Sequence, residues 1–247
     1  MQQWNSSSSV VLSPNGSAVT IGKYDAIHIG HQEIFHQLVE VAKAKSLTSV
    51  VLTFNGHPNA ILEPMRVPLP ILGPKLRAEY IAHTGIDATY TLDFDKALAE
   101  LPAEEFVEKY LVAALNAKFV IVGEGFKFGA HGSGDCETLR ALAKEHGFEV
   151  IEVPCKKLNG KVVSTTSVRE ALERGDVVAA SELLGRKHLT RGVIEHGLKI
   201  GRTIGFPTAN MERSAEGYLP LDGVYAGWLV DGDERYPAAI SIGINET

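Results

Sequence analysis

A chain of 247 residues, 45% apolar and 22% charged, has the composition of a soluble globular protein of one large or two ordinary domains, at roughly 100–200 residues each, and excludes global disorder. Its formal charge of −6 argues against nucleic acid as a main partner, because such proteins turn a basic face to the phosphate backbone, but leaves room for a small anionic ligand held by local groups. Cys136 and Cys155 are too few and too far apart for a Cys-x-x-Cys site and read as reduced thiols; with no signal-like N-terminus and no apolar run near ~18 residues, a cytoplasmic protein away from any membrane is expected.

Residues 5–9 (Asn-Ser-Ser-Ser-Ser) and Ser13 to Gly16 are polar and turn-rich, with only a short strand predicted between them at Val10 to Leu12. Ala18 to Gly22 is the first core strand. From Gln32 onward Ile34, Phe35, Leu38, Val41 and Ala42 share one helical face and Glu33, Glu40, Lys43 and Lys45 the other, so a surface helix begins at the histidines. Ser49 to Phe54 is β-branched and apolar throughout, as a strand buried on both faces requires. Strand, helix, strand in this order is a parallel βαβ unit with a right-handed crossover. Pro64, Pro68, Pro70 and Pro74 then make a long loop that reads as a lid or ligand wall.

The alternation continues with a helix at Lys75 to Thr84, a strand at Ala88 to Leu92, a helix at Ala103 to Leu115, a strand at Lys118 to Val122, a helix at Asp135 to His146 and a strand at Phe148 to Val153. Ser167 and Glu170, spaced as a capping box, open a helix that runs to about Arg174. A short helix at Val177 to Leu184 leads to a change of pattern near residue 185. Beyond it Leu189 to Glu195, Val224 to Val230 and Tyr236 to Ile242 read as antiparallel strands.

Three stretches carry chemistry. Thr20-Ile-Gly-Lys-Tyr-Asp-Ala-Ile-His-Ile-Gly-His31 is a strand, a loop and a helix start, and it puts His28, Gly30 and His31 where unpaired N–H groups and a partial positive charge attract phosphate. His-x-x-His can equally be two solvated side chains or half of a metal site. Gly123 to Gly134 holds five glycines in twelve residues; Gly123 and Gly125 permit close backbone approach, and Phe126 and Phe128 offer surface for a flat ring or plug the core. Ser164, Thr165 and Thr166 crowd hydroxyls at a helix start, with Arg169 read as a first-turn cation that opposes the helix dipole unless it pairs with phosphate. Further on, glycines at 197, 201 and 205, then Pro207, Thr208 and Asn210, suggest a loop able to hold phosphate and magnesium.

With Thr53-Phe-Asn-Gly-His-Pro58, Val122-Gly-Glu-Gly-Phe-Lys-Phe-Gly129, Ser164-Thr-Thr-Ser-Val-Arg169, Leu184-Gly-Arg186 and Gly205-Phe-Pro-Thr-Ala-Asn210 added in this order, the chain resembles the bacterial bifunctional riboflavin kinase/FAD synthetase family over nearly its whole length. The resemblance implies an α/β, Rossmann-like nucleotidylyltransferase domain with a parallel sheet at residues 1–185. An incomplete antiparallel β-barrel of flavokinase type follows at 186–247. It implies adenylyl transfer from ATP to FMN, giving FAD and pyrophosphate, with His28, His31 and Arg169 catalytic. ATP is then held by Gly22, Tyr24, Gly30, Ser164 and Thr165, and the flavin by Phe54, His57, Pro58, Gly123, Gly125, Phe126 and Phe128. In the second domain it implies phosphorylation of riboflavin, with Gly201, Gly205, Pro207, Thr208 and Asn210 at ATP and metal, and Thr208 and Asn210 on Mg2+. ATP, FMN and riboflavin are the implied partners, and a homo-oligomer is left open.

The sequence departs from the family's pattern at Tyr24 and Ala26, where Phe and Gly are usual, at Asn55-Gly56, and at Gly125, where a polar side chain is usual. A non-catalytic flavin or nucleotide binder, and a different His-x-Gly-His adenylyltransferase, are the rival readings; the Gly-Phe-Pro-Thr-Ala-Asn motif argues against the latter. The family's barrel continues past the equivalent of Thr247 and carries its general-base glutamate there, so this 247-residue chain is expected to lack kinase activity. ATP-dependent formation of FMN from riboflavin by the purified chain would overturn that expectation.

Overall fold

The apolar runs of the first half pair side by side, each bringing its own β-branched residues into a sheet covered on both faces. In the computed structural model, which describes residues 1–8, 10, 12–56, 68–195, 208–212 and 214–243, the strands are β1 (Gln2–Asn5), β2 (Ser17–Ile21), β3 (Thr48–Asn55), β4 (Ala88–Asp93), β5 (Ala117–Gly123) and β6 (Glu149–Val153). Their order across the sheet is β1-β4-β3-β2-β5-β6 and every pairing is parallel. All five residues of β2 are buried. With β3 on one side of it and β5 on the other, the strand order reverses at β2, and the crevice outside its carboxyl end is where such sheets take ligands.

Helix α1 (Ile29–Lys45) returns the chain from β2 to β3 and packs on one face of the sheet, where Phe35, Leu38 and Val39 meet Ala18, Val51 and Ile121. On the opposite face Val19, Leu52 and Val120 meet Leu111, Leu115 and Leu139. Adjacent residues of β2 thus serve opposite layers, the period of two expected of a strand. Helices α2 (Pro74–Ala82), α3 (Lys96–Ala99), α4 (Ala103–Phe106) and α5 (Cys136–His146) complete the layers. A separate apolar cluster joins Ala26 and Ile71 to α6 (Thr165–Glu173) and α7 (Val177–Leu184). Beyond it the strands are antiparallel: β9 (Ile194–Glu195) with β10 (Asn210–Met211), and the hairpin of β11 (Gly223–Asp231) and β12 (Glu234–Ile242). A small hairpin, β7 (Lys157–Leu158) and β8 (Lys161–Val162), precedes α6.

Several expectations are corrected. The N-terminal strand is Gln2–Asn5, with Val10 and Leu12 outside any strand, because a buried Trp4 anchors the segment against β4 at the sheet edge. The helix predicted over 103–115 is α-helical only to Phe106 and then π-helical over Val107–Ala114, closing with Leu115 N–H to the Tyr110 carbonyl. The capping box of α6 is Ser164 with Ser167, not Ser167 with Glu170, so Arg169 lies past the first turn and opposes little of the dipole. The strand predicted at Leu189 to Glu195 shrinks to its last two residues, Arg191 instead exchanging backbone hydrogen bonds with Glu216.

Leu38 is fully buried between α1 and the sheet. Leu38→Ala is expected to cost about 2–5 kcal/mol in denaturant unfolding, as for a large-to-small change in a close-packed core; a cost under ~1 kcal/mol would mean that α1 is not pinned by this face.

Candidate active site at the carboxyl ends of the central strands

The loop from Gly22 to His28 leaves β2 and turns directly into α1. Two residues in it adopt positive φ, Tyr24 at 52° and Ile27 at 45°, which side chains of this bulk rarely accept. Tyr24 is held by its ring, which fills the space a Cβ on Gly22 would occupy, and by its hydroxyl, 2.6 Å from Thr20 Oγ1. Thr20 in turn donates to the Ile121 carbonyl at 2.6 Å. Tyr24 is therefore a core residue under the loop, its ring edge-on to His31 at 5.0 Å.

His28 caps α1: its Nδ1 accepts the His31 N–H at 3.3 Å. An accepting Nδ1 puts the proton of the neutral ring on Nε2, where it is a donor. The two imidazoles stack with centroids 3.7 Å apart, and Gly30 packs tightly beside them, where a Cβ would come within 3.1 Å of the His28 ring. Burial pushes His28 down to about 4 and His31 well below the usual histidine range. Both are thus neutral at physiological pH, and His31 Nδ1 is buried with no partner among the described residues.

Arg169 reaches this loop across the fold. Its Nη2 pairs with Asp25 Oδ2 at 3.3 Å and its Nη1 donates to the Leu69 carbonyl at 2.6 Å. Asp25 is buried and its other oxygen accepts the Ile71 N–H at 2.9 Å. Of the five guanidinium N–H groups of an arginine, two are committed in these bonds, which leaves three. Ser164 and Thr165 stand half-buried at the start of the same helix, the Ser164 hydroxyl accepting from Ser167 N–H. Arg77 donates to the Lys23 and Phe54 carbonyls at 3.2 and 3.3 Å, stapling the ends of β2 and β3. The Lys23 ammonium is pushed down to about 8, mainly by burial, with Asp25 pulling it up and Arg77 and Arg169 pressing it further down. Lys23, Arg77 and Arg169 converge around one carboxylate, so the crevice carries an excess of positive charge despite the chain's net −6.

Beside this cationic crevice lies an apolar pocket of about 230 Å³, lined by Phe54, Phe94, Phe106, Phe126 and Phe128 and closed by Ile21 at the end of β2. Phe126 and Phe128 lie parallel at 5.5 Å, and Phe54 meets Phe94 edge-on at 5.7 Å. Gly123 packs against Ile34 of α1, whereas Gly125 has open space around it and φ of 78°, a turn conformation that favours glycine whatever side chain might have been useful there. His57, Pro58, Gly201, Gly205 and Pro207 lie outside the described residues. Thr208 and Asn210 are exposed, Asn210 on β10, and no group of three or more His, Cys, Asp or Glu able to hold a metal occurs among the described residues. Sequence reasoning passed over Asp25, Lys23 and Arg77; the lone acid inside the histidine motif was a signal for the first, but Arg77 looked like any helix-surface cation.

A doubly covered parallel sheet with a phosphate-type loop at its switch point, followed by an antiparallel unit, defines a Rossmann-like nucleotide-binding α/β protein with a second, β-rich part. Family models described as FAD synthetase and as riboflavin kinase match residues 11–167 and 184–247. The bifunctional riboflavin kinase/FMN adenylyltransferase of Listeria monocytogenes is 36% identical over 230 residues, 93% of this chain and 73% of that protein. The Escherichia coli K12 protein of the same name is 33% identical over 233 residues, 94% and 74% of the two. A Streptococcus pneumoniae crystal structure titled as a macrolide-efflux protein superposes with a TM-score of 0.86 at 37% identity, covering 95% of this chain and 76% of that one. The chain belongs to the bifunctional riboflavin kinase/FMN adenylyltransferase family.

Because burial holds both imidazoles neutral, the ring resonances of His28 should stay constant between pH 8 and 6 and move only as pH falls toward a midpoint near 4, and those of His31 should likewise titrate well below the usual histidine range. A midpoint near 6.5 for either ring in an NMR titration would show that the site is solvated.

Proposed function

We propose that the first domain, residues 1–185, transfers the adenylyl group of ATP to FMN, giving FAD and pyrophosphate. The observation that carries this reading is the juxtaposition of a cationic crevice holding two neutral imidazoles with an aromatic pocket sized for a flat ring. The boundary near 185 is supported by the family matches, one ending at 167 and the next beginning at 184.

The phosphate of FMN is already an anionic nucleophile, so no general base is needed. What the site must supply is position and stabilisation of charge on the α-phosphate during in-line transfer. Neutral His28, its Nε2 proton free of the cap bond, donates without a change of protonation state, and His31 stacks against it in the first turn of α1. The remaining Arg169 N–H groups and the hydroxyls of Ser164 and Thr165 fit the β- and γ-phosphates that leave. Gly22 and Gly30 leave room for the Tyr24 and His28 rings and, in this reading, for ATP beside the loop backbone. Phe54, Phe126 and Phe128 enclose the isoalloxazine, beside Gly123 and Gly125. Lys23 adds charge at the mouth.

The segment from 186 corresponds to the part matched to riboflavin kinase, the half of the family that phosphorylates riboflavin. The hydroxyl of Thr208 and the carboxamide of Asn210 are oxygen donors of the kind Mg2+ accepts, and with no metal-binding cluster of His, Cys, Asp or Glu among the described residues the ion would share them with substrate phosphates. When bound it would neutralise phosphate charge. No described helix is long and apolar enough to cross a membrane.

Incubation with ATP, magnesium and FMN is expected to yield FAD and pyrophosphate, with His28→Ala or His31→Ala lowering turnover by about 10²-fold, the scale of losing one charge-stabilising donor. Tight FMN and ATP binding with no pyrophosphate release would instead identify a binder, and unchanged rates in both variants would remove the histidines from the mechanism.

A further inference from the structure

The Leu184-Gly-Arg186 motif and the stretch around Tyr218 have no part in the chemistry above, yet both end on the groups that hold it in place. Arg186 donates through Nη2 to the Ala26 carbonyl at 2.8 Å and through Nη1 to the Ile27 carbonyl at 2.8 Å, its plane stacked on Tyr80 at 4.1 Å. Gln32 binds the same Ile27 carbonyl at 2.9 Å and the Leu184 carbonyl at 2.7 Å. Ile27 is the residue at φ 45° immediately before the His28 cap. A β-branched residue stays in that region only where its surroundings over-determine it, and the surroundings here are Arg186 and Gln32. Without them the loop could relax and His28 would swing off the end of α1.

Tyr218 does the corresponding work at the other jaw. Its ring lies 4.8 Å from the Arg169 guanidinium carbon, covering a face of the cation whose edge is held by Asp25 and the Leu69 carbonyl. The ring is itself fixed: its hydroxyl donates to Glu173 at 2.9 Å, its N–H to the Ile71 carbonyl at 3.2 Å, and its carbonyl bonds His188 Nε2 at 2.6 Å. Leu221 N–H to the Leu172 carbonyl at 2.9 Å seats the next residues on α6. A guanidinium held on edge and face has one orientation left, which is what a phosphate ligand needs.

We propose that Arg186 and Tyr218, both within the segment matched to riboflavin kinase, are positioning residues of the adenylyl-transfer site, so that this site is complete only when the second domain's segment is folded against the first. The proposal rests on the adenylyl-transfer reading of Arg169 and His28. Occupancy or disorder in the flavokinase segment would then be felt as a change in turnover in the first domain, with no shared substrate site.

The test uses the whole 247-residue chain with ATP, magnesium and FMN. Tyr218→Leu keeps apolar bulk but removes the ring, and Arg186→Lys keeps the charge but loses the fork that spans two carbonyls. Each is expected to lower kcat by about tenfold, the scale of a desolvated cation–π contact, with KM for FMN unchanged because the aromatic pocket is untouched. Tyr218→Phe should recover most of the rate. In an Arg169→Ala background Tyr218→Leu should add nothing. Wild-type kcat in both Tyr218→Leu and Arg186→Lys, with Arg169→Ala impaired, would overturn the proposal alone, as would an undiminished Tyr218→Leu loss in the Arg169→Ala background. A wild-type rate in Arg169→Ala itself would instead sink the role given to Arg169 in the reaction, and this inference with it.

Discussion

The buried carboxylate of Asp25 is the constraint on which the rest of the site depends. It lies on the loop between β2 and α1, and it holds an N–H of Ile71 with one oxygen and the guanidinium of Arg169, 144 positions along the chain, with the other. A carboxylate taken out of water must be paired and hydrogen-bonded or it costs several kcal/mol. That requirement draws the histidine loop, the segment entering α2 and the helix α6 to one point. Remove the pairing and no other described contact ties Arg169 to the loop that carries His28.

Around this anchor the charges are divided by function. The imidazoles are buried deeply enough to stay neutral, so any hydrogen bond they give is a directed one and not that of a cation. The permanent positive charge comes from Arg169 and Arg77, joined by Lys23 while it stays protonated, and is offset by Asp25. An acidic protein can in this way present a basic crevice to a polyphosphate while repelling large polyanions. The pocket beside it is walled mainly by phenylalanines, with Lys127, itself paired with Asp135, at its lining, which suits the flat, weakly polar end of a flavin.

Much of the fold was legible because its signals are local. Buried parallel strands read as unbroken apolar runs, and α1 and α5 as amphipathic faces, so the sheet and its layers follow from Val19, Leu52, Val120 and their neighbours. The edge strand at Gln2–Asn5 was missed since its polar residues carry no such run and its place is decided by Trp4 packing into the distant core. The cap of α6 was misplaced by one turn because Ser164 and Ser167 offer the same chemistry three residues apart, and only the extended backbone at Ser164 chooses between them. Gly125 looked like a lost side chain, but its φ of 78° shows a turn that glycine is there to make.

The sequence by itself determined the βαβ alternation, the change of pattern near 185, and the residue types of the site: imidazoles at a helix start, hydroxyls and an arginine at a second one, phenylalanines near glycines. Those are properties of spacing within a dozen residues, where backbone geometry dictates which side chains share an end or a face. Only the tertiary structure decided that Arg169 meets Asp25, that Tyr24 lies under the loop as support, that Gly30 is bare for the sake of His28, and that Arg186 and Tyr218 reach back from the second segment to hold the first. Arg169 with Asp25, and Arg186 and Tyr218 with the first segment, pair residues whose separation along the chain carries no signal; Tyr24 and Gly30 act over a few residues, but which way their neighbours turn is settled only by burial and unmet hydrogen bonds, which exist once the chain has closed on itself.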